Sequence, residues 1–366
     1  MAHALIVGGG LIGLLTARSL RAHGFDVTLV ERGRLGQQAS WAGGGILSPL
    51  YPWRAPAALT RLAQRGQRQW PALADTLRVR TGIDPQYRPS GMLVVDDDPA
   101  EVAAWARYHH VALCSLDREA AAAAEPGLRV PPGSAWLLPD VASVRNPRLL
   151  RGVAAVTAGE GVQLRENIAV DAIAHAGERV VGVETPRGRI GADAVVVCAG
   201  AWSAPLLADL GAEPPGIHPV RGQMLAFGAC PDTLEHIVLT SGRYLIPRRD
   251  GTLLAGSTLE VTGFDCATTA SARAALYAHA TGLLPTLARA PVTAHWAGLR
   301  PASDDDVPTI AAHPAIAGLW LNAGHFRNGI VTAPASAELA ASLIAEAPPP
   351  LDPLPYAWPA DAGGSR

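Results

Sequence analysis

Lysine is missing from this chain, since the 30 Lys+Arg positions among its 366 residues are all arginine. Without lysine no side-chain Schiff base can form and no phosphate-loop lysine exists, which removes pyridoxal enzymes and P-loop nucleotide hydrolases. Cysteine is sparse too: Cys114, Cys198, Cys230 and Cys266 are far apart and form no C-x-x-C or Cys/His pattern. Neither a disulfide framework nor a metal site is expected, and a reducing cytoplasm is the expected compartment. Charge of one sign is not in excess, with a formal balance of −2, so nucleic acid is not expected as a partner. No charge-free run reaches transmembrane length. The opening MAHALIVGGGLIGLLTARSL is as long as a signal peptide, but it lacks a basic start and is broken by glycines, so it reads as a strand and a helix.

The length exceeds one typical core and predicts two domains or one large composite fold. In the first unit ALIV is a strand, GGGLIG a glycine turn, LLTARSLRAHG a helix and VTLVE a second strand ending in an acid. Gly8, Gly10 and Gly13 fit G-x-G-x-x-G: a tight turn, a close approach of pyrophosphate to the backbone, and close helix-strand packing. Glu31 lies where a ribose-binding carboxylate belongs, and the first N–H groups of the helix suit a pyrophosphate. This motif alone does not separate NAD from FAD. The continuation ERGRLGQQASWAGGGILSP favours the longer cofactor, because Gln38, Ala39, Ser40 and the cluster Gly43 to Gly45 can lie flat beneath it and offer N–H groups. A flexible loop is the competing reading.

Further along, residues 56–80 are helix-like between Pro56 and Gly82, GMLVVDDD is a strand, and two Ala-rich helices span 99–124. NPRLLRGVAAVTAGEG opens a helix, four strand-like segments end in GADAVVVCAG, and AGAWS turns toward a helix start at Ser203. Residues 221–258 are β-rich, a helix follows, and the final part runs through AHWAGLRP and WLNAG into a long helix near Asn328. From residue 347 the chain is Pro-rich and predicted extended or disordered.

VGGGLIG, Glu31, SWAGGGI, AVVVCAGAWS, GRYLIPR, HWAGLRP and GHFRNGI occur in the order seen in FAD-dependent amino-acid oxidases of the D-amino acid oxidase superfamily. Over about residues 4–346 the chain most closely resembles glycine oxidases of the thiamine-biosynthesis type. The resemblance implies a Rossmann-like, glutathione-reductase-like FAD-binding domain of mixed α/β and α+β class, interleaved with a substrate domain on a large antiparallel sheet. Carried over, the FAD domain is 1–80 plus 144–220 plus 291–348, the substrate domain is 81–143 plus 221–290, and 349–366 is the tail.

It further implies that Arg300 pairs with a substrate carboxylate, that Tyr244 assists the same carboxylate, and that Arg327 lies by flavin and substrate. A guanidinium fork suits a carboxylate and keeps its charge when desolvated. The implied cofactor contacts are Gly8, Gly10, Leu11, Ile12 and Gly13 at the turn, then Glu31 and Arg32 after the second strand. They continue with Ala39, Ser40, Gly44, Gly45 and Ile46 in the glycine loop, Val170, Gly200 and Trp202, and the run His325, Phe326, Arg327, Asn328, Gly329 and Ile330. The residues alone leave plainer readings: Arg300 in a core ion pair with Asp304 to Asp306, Arg327 as a helix-start residue, Tyr244 as a packed strand tyrosine, and His325 and His295 as structural or flavin-edge groups.

The expected reaction is hydride removal from the α-carbon of a small amino acid, glycine or a D- or N-substituted one, to flavin N5, with hydrolysis of the imino acid and O2 as acceptor. The alternatives are a D-amino acid dehydrogenase passing electrons to a quinone or carrier, and a non-catalytic or tRNA-modifying FAD-binding protein. No cysteine follows Cys266, so FAD is expected to be noncovalent, and the lysine that sarcosine-oxidase-like members use toward oxygen is absent. SPLYPWRAP, residues 48–56, is expected near the entrance, and a homo-oligomer is an open expectation.

Overall fold

The computed structural model describes residues 1–95, 99–129, 135–229 and 234–359. Cys230 and the end of the Pro-rich tail lie outside the described residues. ALIV becomes the strand His3–Val7, the helix runs Leu11–Ala22, and the second strand is Asp26–Val30. His3–Val7 sits inside a six-stranded sheet, between Asp26–Val30 on one side and Ala194–Val197 on the other. All of its pairs are parallel except the edge strand Thr309–Ala312, which runs antiparallel to Leu319–Ala323. Val7 is level with both Val30 and Val197, so the central strands end together and open one crevice at their carboxyl ends, where ligands bind in such sheets. A Cβ at Gly13 would lie 1.9 Å from the Gly8 carbonyl oxygen. Only glycine lets the first helix approach the turn this closely.

One face of this sheet buries Ile6, Leu29 and Val196 under the helices Leu11–Ala22, Asn146–Gly159 and Gly329–Ile344. Its other face carries Leu5, Val30 and Val195 against the three-stranded antiparallel sheet of 172–176, 179–184 and 190–191. The helix Ala57–Thr81 crosses Gly329–Ile344 at Gly66, where an added Cβ would stand 2.0 Å from the Val331 carbonyl oxygen.

The second sheet has eight strands in the order 292–302, 218–227, 253–256, 243–247, 237–240, 92–95, 135–138, 114–116. It is antiparallel apart from one parallel pair, Ile237–Thr240 with Met92–Val95. Alternate side chains serve opposite cores: Leu93 and Val95 face the helix Ala270–Leu283 with Leu225 and Phe227, whereas Met92 and Val94 pack with Trp53, Tyr244 and Ile246.

Two features bear on the expected domain boundaries and on the tail. Val292–Ala302 was assigned by resemblance to the FAD segments, yet it pairs along its length with His218–Phe227 in the eight-stranded sheet. The expected boundary at 220/221 therefore falls inside the strand His218–Phe227, and the one at 290/291 separates that strand's residues from its partner. As far as residue 359 the Pro-rich tail lies against the body of the protein. Tyr356 is buried against Leu62, Ile310 and Leu339, and its hydroxyl donates to the Ala58 carbonyl (2.8 Å), while Trp358 Nε1 donates to the Glu213 carbonyl (3.0 Å). Proline-rich composition hid two aromatic anchors.

Candidate active site

A cavity of ≈ 480 Å³ lies between the two sheets. Its walls include the carboxyl end of the first strand, the loop 38–46, the strand end at 198–202, and Tyr244, Arg300 and Arg327 from the other side.

At the N-terminal turn the Glu31 carboxylate organises the loop. Its Oε2 accepts the Gly9 N–H (2.8 Å) and its Oε1 the Gly33 N–H (2.9 Å). A carboxylate has about four acceptor sites, so a ribose hydroxyl can still be received. Ser40 Oγ accepts the Leu11 N–H at 3.0 Å, which links the glycine loop to the helix start. The Ser40 carbonyl in turn accepts from Asn146 Nδ2 at 2.7 Å. Arg32 lies over the Trp202 ring, 3.7 Å from its centroid, and Phe264 stacks on Trp202 at 5.4 Å and 29°. The aromatic bridge joins the loop between strand Leu253–Gly256 and helix Ala270–Leu283 to the dinucleotide-binding unit.

On the opposite side Arg300 is half-buried and has no acidic partner among the described residues. Its Nη2 donates to Ser257 Oγ (2.7 Å) and its Nη1 to the Thr258 carbonyl (3.1 Å). Burial lowers its pKa, opposed by the nearby Tyr244 and by the more distant Glu260. The competing ion pair with Asp304 to Asp306 is not made; Asp304 instead approaches His218. Gly222 faces the guanidinium so closely that a Cβ there would stand 2.0 Å from Nη2. Tyr244 is 6% exposed, its ring packed over Gly256 and its hydroxyl 3.7 Å from Met224 Sδ.

Arg327 follows Phe326, which has a positive φ of 45°, in a 3-10 turn that runs into the helix Gly329–Ile344. Its Nη2 is buried and has no acceptor. Burial lowers its pKa, and the other charge influences are Tyr244, Arg300, Tyr51 and Asp306. A guanidinium edge left unsatisfied inside a cavity is what an absent electron-rich ligand would complete. Together with the glycine loop and the helix start, it fits a flavin dinucleotide.

Of the residues expected from the sequence, Leu11, Gly13 and Asn328 do not line the cavity. Leu11 is a core residue whose N–H is taken by Ser40 Oγ, Gly13 serves packing, and Asn328 is buried with its carbonyl accepting from Thr332 Oγ1 at 2.8 Å. All the others line it, with Tyr244, Arg300 and Arg327 at one end. Ser48 and Leu50, from the Pro- and aromatic-rich segment, line it as well. Sequence reasoning missed Ser257, Thr258 and Gly222, which carry no motif; the strand register that sets Val220 opposite Arg300 brings Gly222 near.

His325 is buried, with Nε2 2.8 Å from Ser336 Oγ, and Ser336 donates to Asn322 Oδ1 at 2.7 Å. Burial pushes its pKa down to about 3, so it stays neutral and cannot serve as a cation at the flavin edge. Because the unfolded chain takes up this proton near pH 6.5 and the folded one does not, the stabilisation is full above about 6.5 and is lost as pH falls toward 3, at roughly 1.4 kcal/mol per pH unit. Denaturant unfolding of wild type and His325→Asn between pH 4 and 7 checks this, and the variant is expected to show a shallower slope.

A family model described as FAD dependent oxidoreductase matches residues 3–343. The chain is 49% identical over 355 residues to a glycine oxidase of Pseudomonas aeruginosa, covering 96% of this chain and 97% of the relative. The crystal structure of glycine oxidase from Geobacillus kaustophilus superposes with a TM-score of 0.93 at 30% identity, covering 99% of this chain and 100% of that one. Iminodiacetate oxidase from Chelativorans sp. BNC1 superposes with a TM-score of 0.86 at 26% identity, covering 97% and 98%.

Proposed function

The chain belongs to the family of FAD dependent oxidoreductases, and on that premise we propose that it oxidises a small amino acid, glycine or a D- or N-substituted relative, with O2 as the acceptor. The balanced reaction takes amino acid, water and O2 to oxo acid, ammonia or amine, and hydrogen peroxide. FAD, when bound, supplies the hydride acceptor for the α-carbon.

The chain's own residues bind and orient. The Arg300 fork, held by Ser257 and Thr258, takes the substrate carboxylate in two parallel hydrogen bonds, and the Tyr244 hydroxyl adds a third. Fixing the carboxylate fixes the α-carbon, and such positioning supplies much of the rate where no covalent step is needed. Arg327 lines the cavity with an unmet Nη2 and would turn its fixed positive charge toward the cofactor, favouring the charge FAD would gain on reduction. No general base is required if the amine binds neutral, which agrees with a His325 that stays neutral. Met224 and Trp296, packed in the apolar core beside Tyr244, keep water from this end of the cavity.

The observation that carries this reading is a half-buried arginine with neutral partners only, opening on the same cavity as a dinucleotide turn. A relative named for iminodiacetate supports N-substituted amines as substrates. The test is anaerobic mixing of the FAD-loaded protein with a panel of small amino acids, followed by flavin absorbance. Glycine, sarcosine or D-alanine is expected to bleach the flavin, and readmitted air to restore it with peroxide release. Bleaching by no amino acid removes the reading, and slow reoxidation by air with fast reoxidation by a quinone favours the dehydrogenase. Acid precipitation is expected to leave the yellow colour in the supernatant.

A further inference from the structure

Arg248 ends the RYLIPR stretch and does not line the cavity. It is 8% exposed, yet its guanidinium meets carbonyl oxygens: Nη1 donates to Val144 O (2.9 Å) and Nη2 to Gly44 O (2.7 Å). The acid close in sequence, Asp250, is occupied by Arg145 at 2.6 Å. Burial pushes the pKa of Arg248 down to about 10, with Arg145 as the next cause. A buried cation without a counter-ion is weak support for stability, and the geometry it imposes is the better reason to look for.

That geometry falls on the glycine loop. Gly43, Gly44 and Gly45 line the cavity and Arg248 does not. In a trans peptide the carbonyl and the next N–H point in opposite directions. The Gly44 carbonyl is drawn back to Arg248, so the Gly45 N–H is turned away from it. Gly45 has φ of 75°, and a Cβ there would meet Val144 O at 2.1 Å, so the loop can take no other residue without moving. Among the described residues nothing in the protein accepts the N–H of Gly44 or Gly45. The Val144 N–H donates to Gly45 O at 2.9 Å, so Arg248 and this bond fasten the loop to the neighbouring helix start.

We infer that Arg248 is a positioning residue: by holding the Gly44 carbonyl it aims the Gly45 N–H into the cavity, as a fixed donor to the ring edge of the cofactor. The inference rests on the FAD reading and is independent of the substrate. A fixed donor at that edge favours the charge gained on reduction.

The experiment is a dithionite titration of the FAD-loaded protein against a reference dye, with FAD affinity measured on apoprotein by flavin fluorescence. Arg248→Met is expected to move the flavin potential to a more negative value and to raise the Kd for FAD on the order of tenfold, as for one lost charge-assisted hydrogen bond. Arg248→Lys keeps the charge but cannot bridge both carbonyls, and a smaller shift in the same direction is expected. Arg145→Met, which breaks the adjacent ion pair without touching Gly44, is expected to keep the wild-type potential. Wild-type potential and affinity in Arg248→Met overturn the inference, as does an equal shift in Arg145→Met. If Arg248→Met does not accumulate folded, Arg248→Lys decides by the same readouts, and an unchanged potential there overturns it. No amino acid enters these measurements, so their failure is separate from failure of the proposed substrate class; apoprotein that takes up no FAD removes both.

Discussion

Arg300→Leu is expected to lower kcat/KM for the preferred amino acid by roughly 2–5 kcal/mol, about 30-fold to several thousand-fold, while the variant still binds FAD. The size follows from the environment. Arg300 is half-buried, its charge is opposed by burial, and its donors rest on Ser257 Oγ and the Thr258 carbonyl rather than on an acid. A carboxylate arriving there meets a buried cation that no acid hydrogen-bonds among the described residues, and that is where removing one partner costs most. Gly222→Ala provides a second route to the same result. Its Cβ would overlap Arg300 Nη1 and Nη2 at 2.1 and 2.0 Å, so the guanidinium must swing away, and the displaced atoms belong to the end of a flexible side chain. The expected outcome is a raised KM with little change in thermal stability. Steady-state kinetics on glycine, sarcosine and D-alanine, with melting curves, checks both variants. Unchanged specificity constants in the two would falsify the role of Arg300.

The dinucleotide-binding unit was legible because its signals are local. Strand, glycine turn, helix and acid follow within the first 31 residues, and each glycine answers a backbone contact that no side chain permits, as the 1.9 Å approach at Gly13 shows. The arginine end was legible only through resemblance. Nothing in HWAGLRP by itself says that Arg300 will avoid Asp304 to Asp306; that depends on the register with His218–Phe227, which turns it toward Ser257. The same pairing puts Val292–Ala302 in the eight-stranded sheet, and its composition does not announce this, because a strand's sheet membership is set by its partner. The docking of the tail was illegible for a related reason: proline content predicts extension but not a partner, and Tyr356 found a distant acceptor at Ala58.

Arg327→Met is expected to move stability and activity in opposite directions. A helix-start residue that served the fold would lose stability on truncation. Arg327 instead holds a buried Nη2 without an acceptor, in a turn entered through Gly324 at φ 84° and Phe326 at φ 45°. An unmet buried donor costs about 1–3 kcal/mol, and its replacement by an apolar side chain of similar length is close to neutral or favourable. The apoprotein of the variant should therefore melt at the wild-type temperature or above it. Turnover should fall by about 10²–10³-fold, the loss typical of deleting one preorganised donor at a site of developing charge. Saturating FAD should stabilise the wild type more than the variant, since only the wild type offers the ligand that edge. Calorimetric melts of apo- and FAD-loaded protein, set beside kcat, separate the two roles. A variant apoprotein that melts clearly below wild type assigns Arg327 to the fold, because the guanidinium would then have been satisfied without any ligand.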